Sequence, residues 1–174
     1  MPAVIRAVSP DDLPALRDLE REAGALFRDL GMAAVAADEP PTIAELDRFH
    51  EDGRAWVATD QADSPVAYLL VEVVDDDAHV VQVSVHPRYA RQRLGAALLD
   101  TAAVWAQRRG LTALTLTTYT EVPWNAPYYT RLGFQPLADD QLGSGLRRIH
   151  AQEAARGLAR WPRMTMRRPL VLSQ

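Results

Sequence analysis

The sequence of 174 residues contains no cysteine and no lysine. The missing cysteine excludes a disulfide framework, a zinc–thiolate site and a cysteine nucleophile. Long apolar runs are also missing, since no run approaches the roughly 20 residues that a membrane-spanning helix requires. The first residues, MPAVIRAVSPDDL, lack the pattern of a signal peptide. We therefore expect a cytoplasmic protein without a membrane partner.

Basic charge is carried by arginine alone, and it is unevenly distributed. Residues 1–79 hold 18 acidic residues and 6 arginines, whereas residues 80–174 hold 5 acidic residues and 13 arginines. The basic half could attract an anionic partner such as a phosphate-bearing cofactor. Alternatively, the two halves neutralise each other in the fold, which leaves the formal net charge of −4.

Hydrophobic periodicity predicts the element order β-α-α-β-β-β-α-β-α-β. The first helix carries an apolar stripe formed by Leu13, Leu16, Leu19 and Leu26. Residues 31–41 are predicted to be a loop, and the second helix then starts with a capping-box pattern, Thr42 with Glu45. Three central strands joined by tight turns form an antiparallel meander that leads into a βαβ unit.

This order is typical of a single domain over residues 1–174 with an α/β (α+β) fold. The expected sheet is mixed and mostly antiparallel, with helices on both faces.

The stretch VSVHPRYARQRLGAALLD, residues 83–100, passes from a strand pattern to a leucine-rich helix through a short arginine-rich loop. At such a turn the first N–H groups of the helix lack partners and attract anions, above all phosphates. Arginine side chains add charge-assisted hydrogen bonds to phosphate. Alone this signal is weak, because most strand–loop–helix segments with one glycine are only turns.

A second segment, LTLTTYTEVPWNAPYYTRLGF, strengthens the phosphate interpretation. Together the two segments resemble the GCN5-related N-acetyltransferase (GNAT) superfamily, which carries V-x-P-x-x-R-x-x-G-x-G-x-x-L-L and later Y-x-x-x-G-F. The matching residues are Val85, Pro87, Gly95, Leu98 and Leu99 in the first motif and Tyr129, Gly133 and Phe134 in the second. The resemblance covers nearly the whole chain.

The resemblance implies the GNAT fold, in which two central parallel strands splay apart in a V and hold the pantetheine arm of an acyl-CoA. Acetyl-CoA would be the co-substrate, with its pyrophosphate on backbone N–H groups of the loop and the helix start. Asn125 could hydrogen-bond the pantetheine or a backbone group. The implied cofactor-binding residues are Val83, Val85, Arg91, Gln92, Arg93, Leu94, Gly95, Ala96 and Asn125.

The resemblance further implies an acyl-CoA-dependent N-acetyltransferase whose acceptor amine attacks the thioester directly in a ternary complex. The absence of cysteine agrees with direct transfer. Tyr129 would protonate the leaving thiolate as the general acid, and the adjacent Tyr128 is the alternative. The acceptor would be an amine on a small molecule or on a peptide, and the acidic N-terminal half favours a cationic one.

Two registers fit the arginine-rich loop. In one, Gln92-x-x-Gly95-x-Ala97 matches the family pattern directly. In the other, Ala90 takes the usual arginine position, Arg93 replaces the first glycine and Gly95 is the second. We prefer the second register, because the strand end and the helix start fix the loop length. Arg93 must then avoid a glycine-only backbone conformation, or the loop must shift. Its side chain points either to solvent or to a cofactor phosphate.

The pattern offers three candidates for the general base. Similar family members often carry a glutamate on the strand before the loop, where this sequence has Val81. Glu72 is the preferred base, and His79 and Glu121 are the other candidates. A base is dispensable if the substrate amine has a low pKa or loses its proton to bulk water.

Val81 and Arg93 also favour a rival function, a catalytically weak or inactive acyl-CoA-binding protein on the same fold. A nucleic-acid-binding module is a second rival, but the overall acidity and the lack of a reader motif argue against it. No metal-ligand spacing is present. We therefore predict acetyl-CoA and an amine as partners, and neither nucleic acid nor metal. The oligomeric state stays open, with a homodimer among the alternatives.

Overall fold

The computed structural model describes residues 3–157 and 161–171. Within these ranges the strands are β1 (Val4–Ala7), β2 (Ala55–Thr59), β3 (Pro65–Val74), β4 (Asp77–Val85), β5 (Ala113–Tyr119), β6 (Gln135–Pro136) and β7 (Arg163–Pro169). The α-helices are α1 (Leu13–Gly24), α2 (Ala33–Ala36), α3 (Ile43–Glu51), α4 (Leu94–Arg108), α5 (Ala126–Arg131) and α6 (Ser144–Ala155).

The strands form a sheet in the order β1-β2-β3-β4-β5-β7-β6. Pairing is antiparallel between β1 and β2, β2 and β3, β5 and β7, and β6 and β7. Strands β4 and β5 are parallel and pair through Ala78 with Leu114 and through His79 with Thr115. The prediction of an α/β fold with a mixed, mostly antiparallel sheet is confirmed.

The chain divides into two compact units. The first contains Met1–Val71 and Val81–Thr101, and the second contains Glu72–Val80 and Ala102–Gln174. Strands β3 and β4 and helix α4 therefore contribute residues to both. The first unit holds helices α1 to α3, strands β1 and β2, most of β3 and the second half of β4. The second unit holds strands β5 to β7 and helices α5 and α6.

Helix α1 packs its apolar stripe into the core of the first unit. Leu13, Leu16 and Leu19 are buried there, as the sequence predicts. Leu26 is exposed, so its assignment to the same stripe is wrong. The cause is local, because the α-helix ends at Gly24 and the next residues form a tighter 3-10 segment that does not keep the α-helical period.

Helix α3 begins with the capping box that the sequence predicts. The N–H of Glu45 donates to Thr42 Oγ1 at 3.2 Å, and the N–H of Thr42 donates to Glu45 Oε2 at 3.0 Å. The predicted loop over 31–41 is only partly correct, because Ala33–Ala36 form the short helix α2. Buried Met32 anchors this segment, and the alanines that follow have high helix propensity.

In the second unit, the tight turn between β3 and β4 contacts the start of helix α6. Asp75 and Asp76 form this turn with left-handed φ values of 52° and 65°. The Asp75 carboxylate accepts hydrogen bonds from the N–H groups of Gly145 and Leu146 at 2.9 and 3.0 Å. It therefore caps helix α6 from a distant part of the chain. The cap holds α6 where Leu146 packs against Val74 of β3.

Candidate active site

In the first unit, strand β4 ends at Val85 and the chain turns through the arginine-rich loop into α4. His86 Nδ1 accepts a hydrogen bond from the N–H of Arg88 at 3.1 Å, and a 3-10 turn follows over Pro87–Tyr89. The N–H of His86 donates to the carbonyl oxygen of Val66 on β3 at 2.9 Å. These bonds fix the loop at its strand end.

Two arginines of this loop adopt the left-handed backbone conformation. Arg91 has φ 63° and Arg93 has φ 61°. Glycine tolerates such values, whereas other residues adopt them at a cost of about 1–2 kcal/mol each. Of the two alternatives for Arg93, avoidance of a glycine-only conformation or a shift of the loop, the first is wrong, because Arg93 does not avoid the left-handed region. The left-handed region is the one that glycine tolerates best, which is compatible with the register that places Arg93 at the first glycine of the GNAT motif.

Helix α4 begins at Leu94, directly after Arg93. The carbonyl oxygen of Arg93 accepts a hydrogen bond from the N–H of Ala97 at 3.0 Å, so Arg93 directly precedes the first turn. Arginine has no acceptor for the first N–H groups of the helix, those of Leu94, Gly95 and Ala96. The preceding loop residues are exposed, namely Arg91, Gln92 and Arg93. An anion bound here would meet backbone N–H groups, the positive end of the helix dipole and guanidinium groups.

The second half of strand β4 belongs to the same unit as the loop. Val83 and Val85, whose backbone is predicted to bind pantetheine, are half-buried. Side chains alternate along a strand, so Gln82 and Ser84 share the opposite face. The valine side chains and the two polar side chains of this part of β4 therefore lie on opposite faces of the strand.

A carboxylate of α1 contacts the polar face of β4. Glu20 Oε2 accepts hydrogen bonds from Tyr68 Oη at 2.6 Å and from Ser84 Oγ at 2.7 Å. Glu20 Oε1 accepts one from Gln82 Nε2 at 3.1 Å. We call these four side chains the Glu20 cluster; they join α1, β3 and β4.

Burial determines the electrostatics of the Glu20 cluster. It raises the pKa of Glu20 above its ordinary value, although the hydrogen bonds from Tyr68 and Ser84 act in the opposite direction. The negative charge of Asp38 raises the pKa of Glu20 further. Burial and the neighbouring Glu20 also raise the pKa of Tyr68, which therefore stays protonated and donates its hydrogen bond.

Sequence reasoning missed the Glu20 cluster, although helix periodicity contained the signal. Glu20 follows Leu13 by seven residues and Leu16 by four, and both leucines are buried. A residue at this spacing lies on the inward face of the helix. A glutamate on that face needs hydrogen-bond donors from the sheet, and Tyr68 and Ser84 provide them.

In the second unit, the predicted general acid Tyr129 lies on helix α5. It is 8% exposed, and its ring packs edge-on against Phe134 and Tyr128 at centroid distances of 5.7 and 5.3 Å. Burial raises the pKa of its hydroxyl, so the group keeps its proton at neutral pH. No described residue hydrogen-bonds this hydroxyl. Asn125, directly before α5, accepts a hydrogen bond from Thr118 Oγ1 on its side-chain oxygen.

The three candidate bases occupy different surroundings. Glu72 is half-buried near the end of β3, and its carboxylate has no hydrogen bond from the residues that the structure describes. His79 is buried, with Nδ1 2.9 Å from Thr115 Oγ1, and burial lowers its pKa to about 4. Glu121 is exposed in the loop after β5.

The predicted site residues are divided between the two units. The first unit contains Val83, Val85 and the loop and helix start at 91–96, whereas the second contains Glu72, Asn125 and Tyr129. Among the described residues, no group of three or more histidine or acidic side chains could hold a metal ion. No helix in the described ranges combines the length and apolar character that crossing a bilayer requires.

Residues 14–134, more than half of the chain, match the model of the family described as the acetyltransferase (GNAT) family. The chain belongs to this family. The family resemblance drawn from the two motifs is thereby confirmed. This GNAT chain is an acetyltransferase, and acyl-CoA-dependent acetyl transfer is its general activity.

Solved structures share the GNAT fold over nearly the whole chain. The Escherichia coli ribosomal-protein-S18-alanine N-acetyltransferase is 21% identical, with a TM-score of 0.66 and coverage of 99% of this chain and 96% of that one. A phosphinothricin acetyltransferase from Sinorhizobium meliloti with AcCoA is 19% identical, with a TM-score of 0.68 and coverage of 98% and 89%. The PaiA N-acetyltransferase from Thermoplasma acidophilum with coenzyme A is 14% identical, with a TM-score of 0.68 and coverage of 97% and 99%.

This GNAT acetyltransferase departs from the family motif at two positions in the first unit. Arg93 stands at the position of the motif's first glycine in the preferred register and has a left-handed backbone. Val81, at the position where an acid is common, is 39% exposed and supplies no titratable group. The acid that contacts this part of β4 comes instead from α1, as Glu20.

Proposed function

We propose that this chain is an N-acetyltransferase that uses acetyl-CoA as co-substrate and an amine as acceptor. The loop before α4 carries the proposal, because two exposed arginines with left-handed backbone directly precede the start of this helix. Two of the structural neighbours were solved with CoA or AcCoA, which supports the same cofactor here.

In this proposal the cofactor contacts follow the family motif. The pyrophosphate accepts hydrogen bonds from N–H groups of the loop and the helix start, and pantetheine bonds the backbone of Val83 and Val85. Asn125 offers its amide nitrogen, since its oxygen accepts from Thr118. The residues of the loop and helix start in this role are Arg91, Gln92, Arg93, Leu94, Gly95 and Ala96.

The proposed chemistry is direct transfer in a ternary complex. The nitrogen lone pair of the amine attacks the thioester carbonyl carbon, the C–N bond forms, and the C–S bond breaks as the tetrahedral intermediate collapses. Tyr129 donates its proton to the departing sulfur. A buried tyrosinate is costly, so we expect this proton to be shared with the sulfur during C–S cleavage. Glu72 is the proposed base for the proton that the nitrogen loses after attack.

The acceptor in this proposal is a cationic primary amine. The acidic N-terminal half, residues 1–79, supports this charge preference. The carrier of this amine is a small molecule or a peptide, since the names of the neighbours include both a ribosomal-protein acetyltransferase and a phosphinothricin acetyltransferase.

An amine-panel assay of CoA release tests the proposed function. We expect turnover by the wild type, a fall of about 10²-fold in kcat for Tyr129→Phe, and a normal rate for Tyr128→Phe. Both variants should bind CoA as the wild type does, because neither residue belongs to the loop. Full activity of Tyr129→Phe would overturn the acid assignment. Saturable CoA binding without turnover would support the inactive acyl-CoA-binding protein instead.

A further inference from the structure

The Glu20 carboxylate has room for one more hydrogen bond. A carboxylate offers about four lone pairs, two on each oxygen. Those of Oε2 are taken by Tyr68 at 2.6 Å and by Ser84 at 2.7 Å. Oε1 accepts only from Gln82, at 3.1 Å, among the residues that the structure describes. One lone pair of Oε1 is therefore available to a further donor.

The surroundings of Glu20 favour a cationic donor. Burial penalises an ionised carboxylate strongly unless a cation offsets its charge. No arginine in the described ranges pairs with Glu20, and the negative charge of Asp38 acts on it. A buried carboxylate that pairs with no arginine of the described ranges, and whose ionised form is disfavoured by a second negative charge, is complementary to an ammonium group.

The position of Glu20 along β4 relates it to the proposed cofactor strand. Its partners Gln82 and Ser84 directly flank Val83, whose backbone is proposed to bind pantetheine. A group held by Glu20 is thus placed beside the same short segment of β4 as the arm that carries the thioester. No other carboxylate among the described residues hydrogen-bonds this segment.

We propose that Glu20 Oε1 binds the acceptor ammonium and accepts its first proton, which rests on the proposed function above. The amine so formed attacks the thioester carbonyl carbon, with formation of the C–N bond and loss of the C–S bond to the thiol. The second nitrogen proton leaves after attack, and the proton on Glu20 returns to solvent in exchange for the next ammonium. The overall products are the amide, CoA thiol and one proton.

Glu20→Gln tests this assignment, because the amide keeps the size and an acceptor oxygen but takes no proton. Glu22→Gln is the matched control, since Glu22 lies two residues further on α1 and is exposed. With the best amine of the panel at pH 7, we expect kcat/KM of Glu20→Gln to fall about 10²-fold. The Kd for CoA should stay unchanged, and Glu22→Gln should match the wild type.

The pH profile separates proton transfer from a structural role. The titratable groups that face Glu20 are Tyr68 from β3 and Asp38 from the segment after α2, while β4 faces it with uncharged Gln82 and Ser84. At about pH 11.5 a primary amine, whose pKa is about 10.4 when it resembles lysine, is largely unprotonated and needs no base. The deficit of Glu20→Gln should therefore shrink to about threefold or less. An equal deficit at all pH values would overturn the assignment.

A second readout does not depend on turnover. Saturating amine, without CoA, should raise the Tm of the wild type and of Glu22→Gln but not that of Glu20→Gln. Glu20→Asp, which keeps the carboxylate, should retain part of the shift, and it serves as the test if Glu20→Gln does not fold. If the wild type shows this shift but releases no CoA, the proposed function fails and amine binding by Glu20 stands. Turnover at the wild-type rate by Glu20→Gln would refute the Glu20 assignment alone.

Discussion

Replacing Arg93 by glycine should stabilise the protein. At φ 61° the arginine carries a left-handed strain of about 1–2 kcal/mol, which glycine does not have. Glycine also has more conformational freedom in the unfolded chain, which lowers the stability of the folded state by about 0.4–1 kcal/mol. The balance is a gain of about 0.5–1 kcal/mol, or a Tm increase of about 2–3 °C for a chain of this length.

The neighbouring residues supply matched controls for this prediction. Arg91, at φ 63°, should respond to glycine as Arg93 does, whereas Gln92 between them is not left-handed and should lose about 0.5–1 kcal/mol. Arg93→Ala retains the strained Cβ and should leave the Tm unchanged within about 1 °C. Urea denaturation and thermal melts measure all four variants. If glycine at 92 and at 93 shifted stability in the same direction, the argument from backbone strain would be refuted.

The same variants test the cofactor role of the Arg93 side chain. Arg93 is exposed and pairs with no acid among the described residues, so its guanidinium is available to a phosphate. Both Arg93→Ala and Arg93→Gly should raise the Kd for CoA about tenfold, as the loss of one charge-assisted bond would do. Equal Kd values in the wild type and both variants would mean that the side chain points to solvent.

Three further predictions concern the second unit. Thr117→Val should stabilise the protein by about 1 kcal/mol in urea titrations, because Thr117 Oγ1 is buried without a partner in the described ranges. Thr115→Val should instead destabilise it by about 1–3 kcal/mol, because it removes the hydrogen-bond partner of His79. Burial lowers the pKa of His79 from 6.5 to about 4. The contribution of His79 to the free energy of unfolding is therefore complete above pH 6.5 and is lost as the pH falls towards 4. The loss, up to about 3 kcal/mol, should be absent in His79→Asn. Asp75→Ala should lower the free energy of unfolding by about 1–2 kcal/mol, because it removes the cap of α6. Gly145→Ala should also destabilise the protein, because the added Cβ would lie 2.8 Å from Asp75 Oδ1.

Local rules predicted most of the fold. The capping box at Thr42 and Glu45 forms as expected, because its hydrogen bonds involve residues only three apart. The failure at Leu26 arose because the pattern extended an α-helical period beyond Gly24, where the chain tightens into a 3-10 segment. The Asp75 cap of α6 was not predictable, since its partners are 70 residues apart and meet only after the hairpin has formed.

The candidate site was predictable where a motif fixes it. The strand end, the loop and the helix start around Arg93 follow from the order of residues alone, but the left-handed φ of an arginine does not, because propensity argues against it. Glu20 was missed for a different reason. Its partners Tyr68, Gln82 and Ser84 lie 48 to 64 residues away, and only strand pairing brings them to α1.

The loop and the Glu20 cluster share a physical property that supports their assignment to function. Each lowers the stability of the first unit: Arg91 and Arg93 through backbone strain, and Glu20 through burial of an acid. A raised pKa means that the stabilising contribution of Glu20 is present below its ordinary value and is lost as the pH rises through the value in the folded protein. Features that cost stability cluster at functional sites, where a ligand offsets the cost. An anion at the loop and a cation at Glu20 would each do so, and these are the charges of the two proposed substrates.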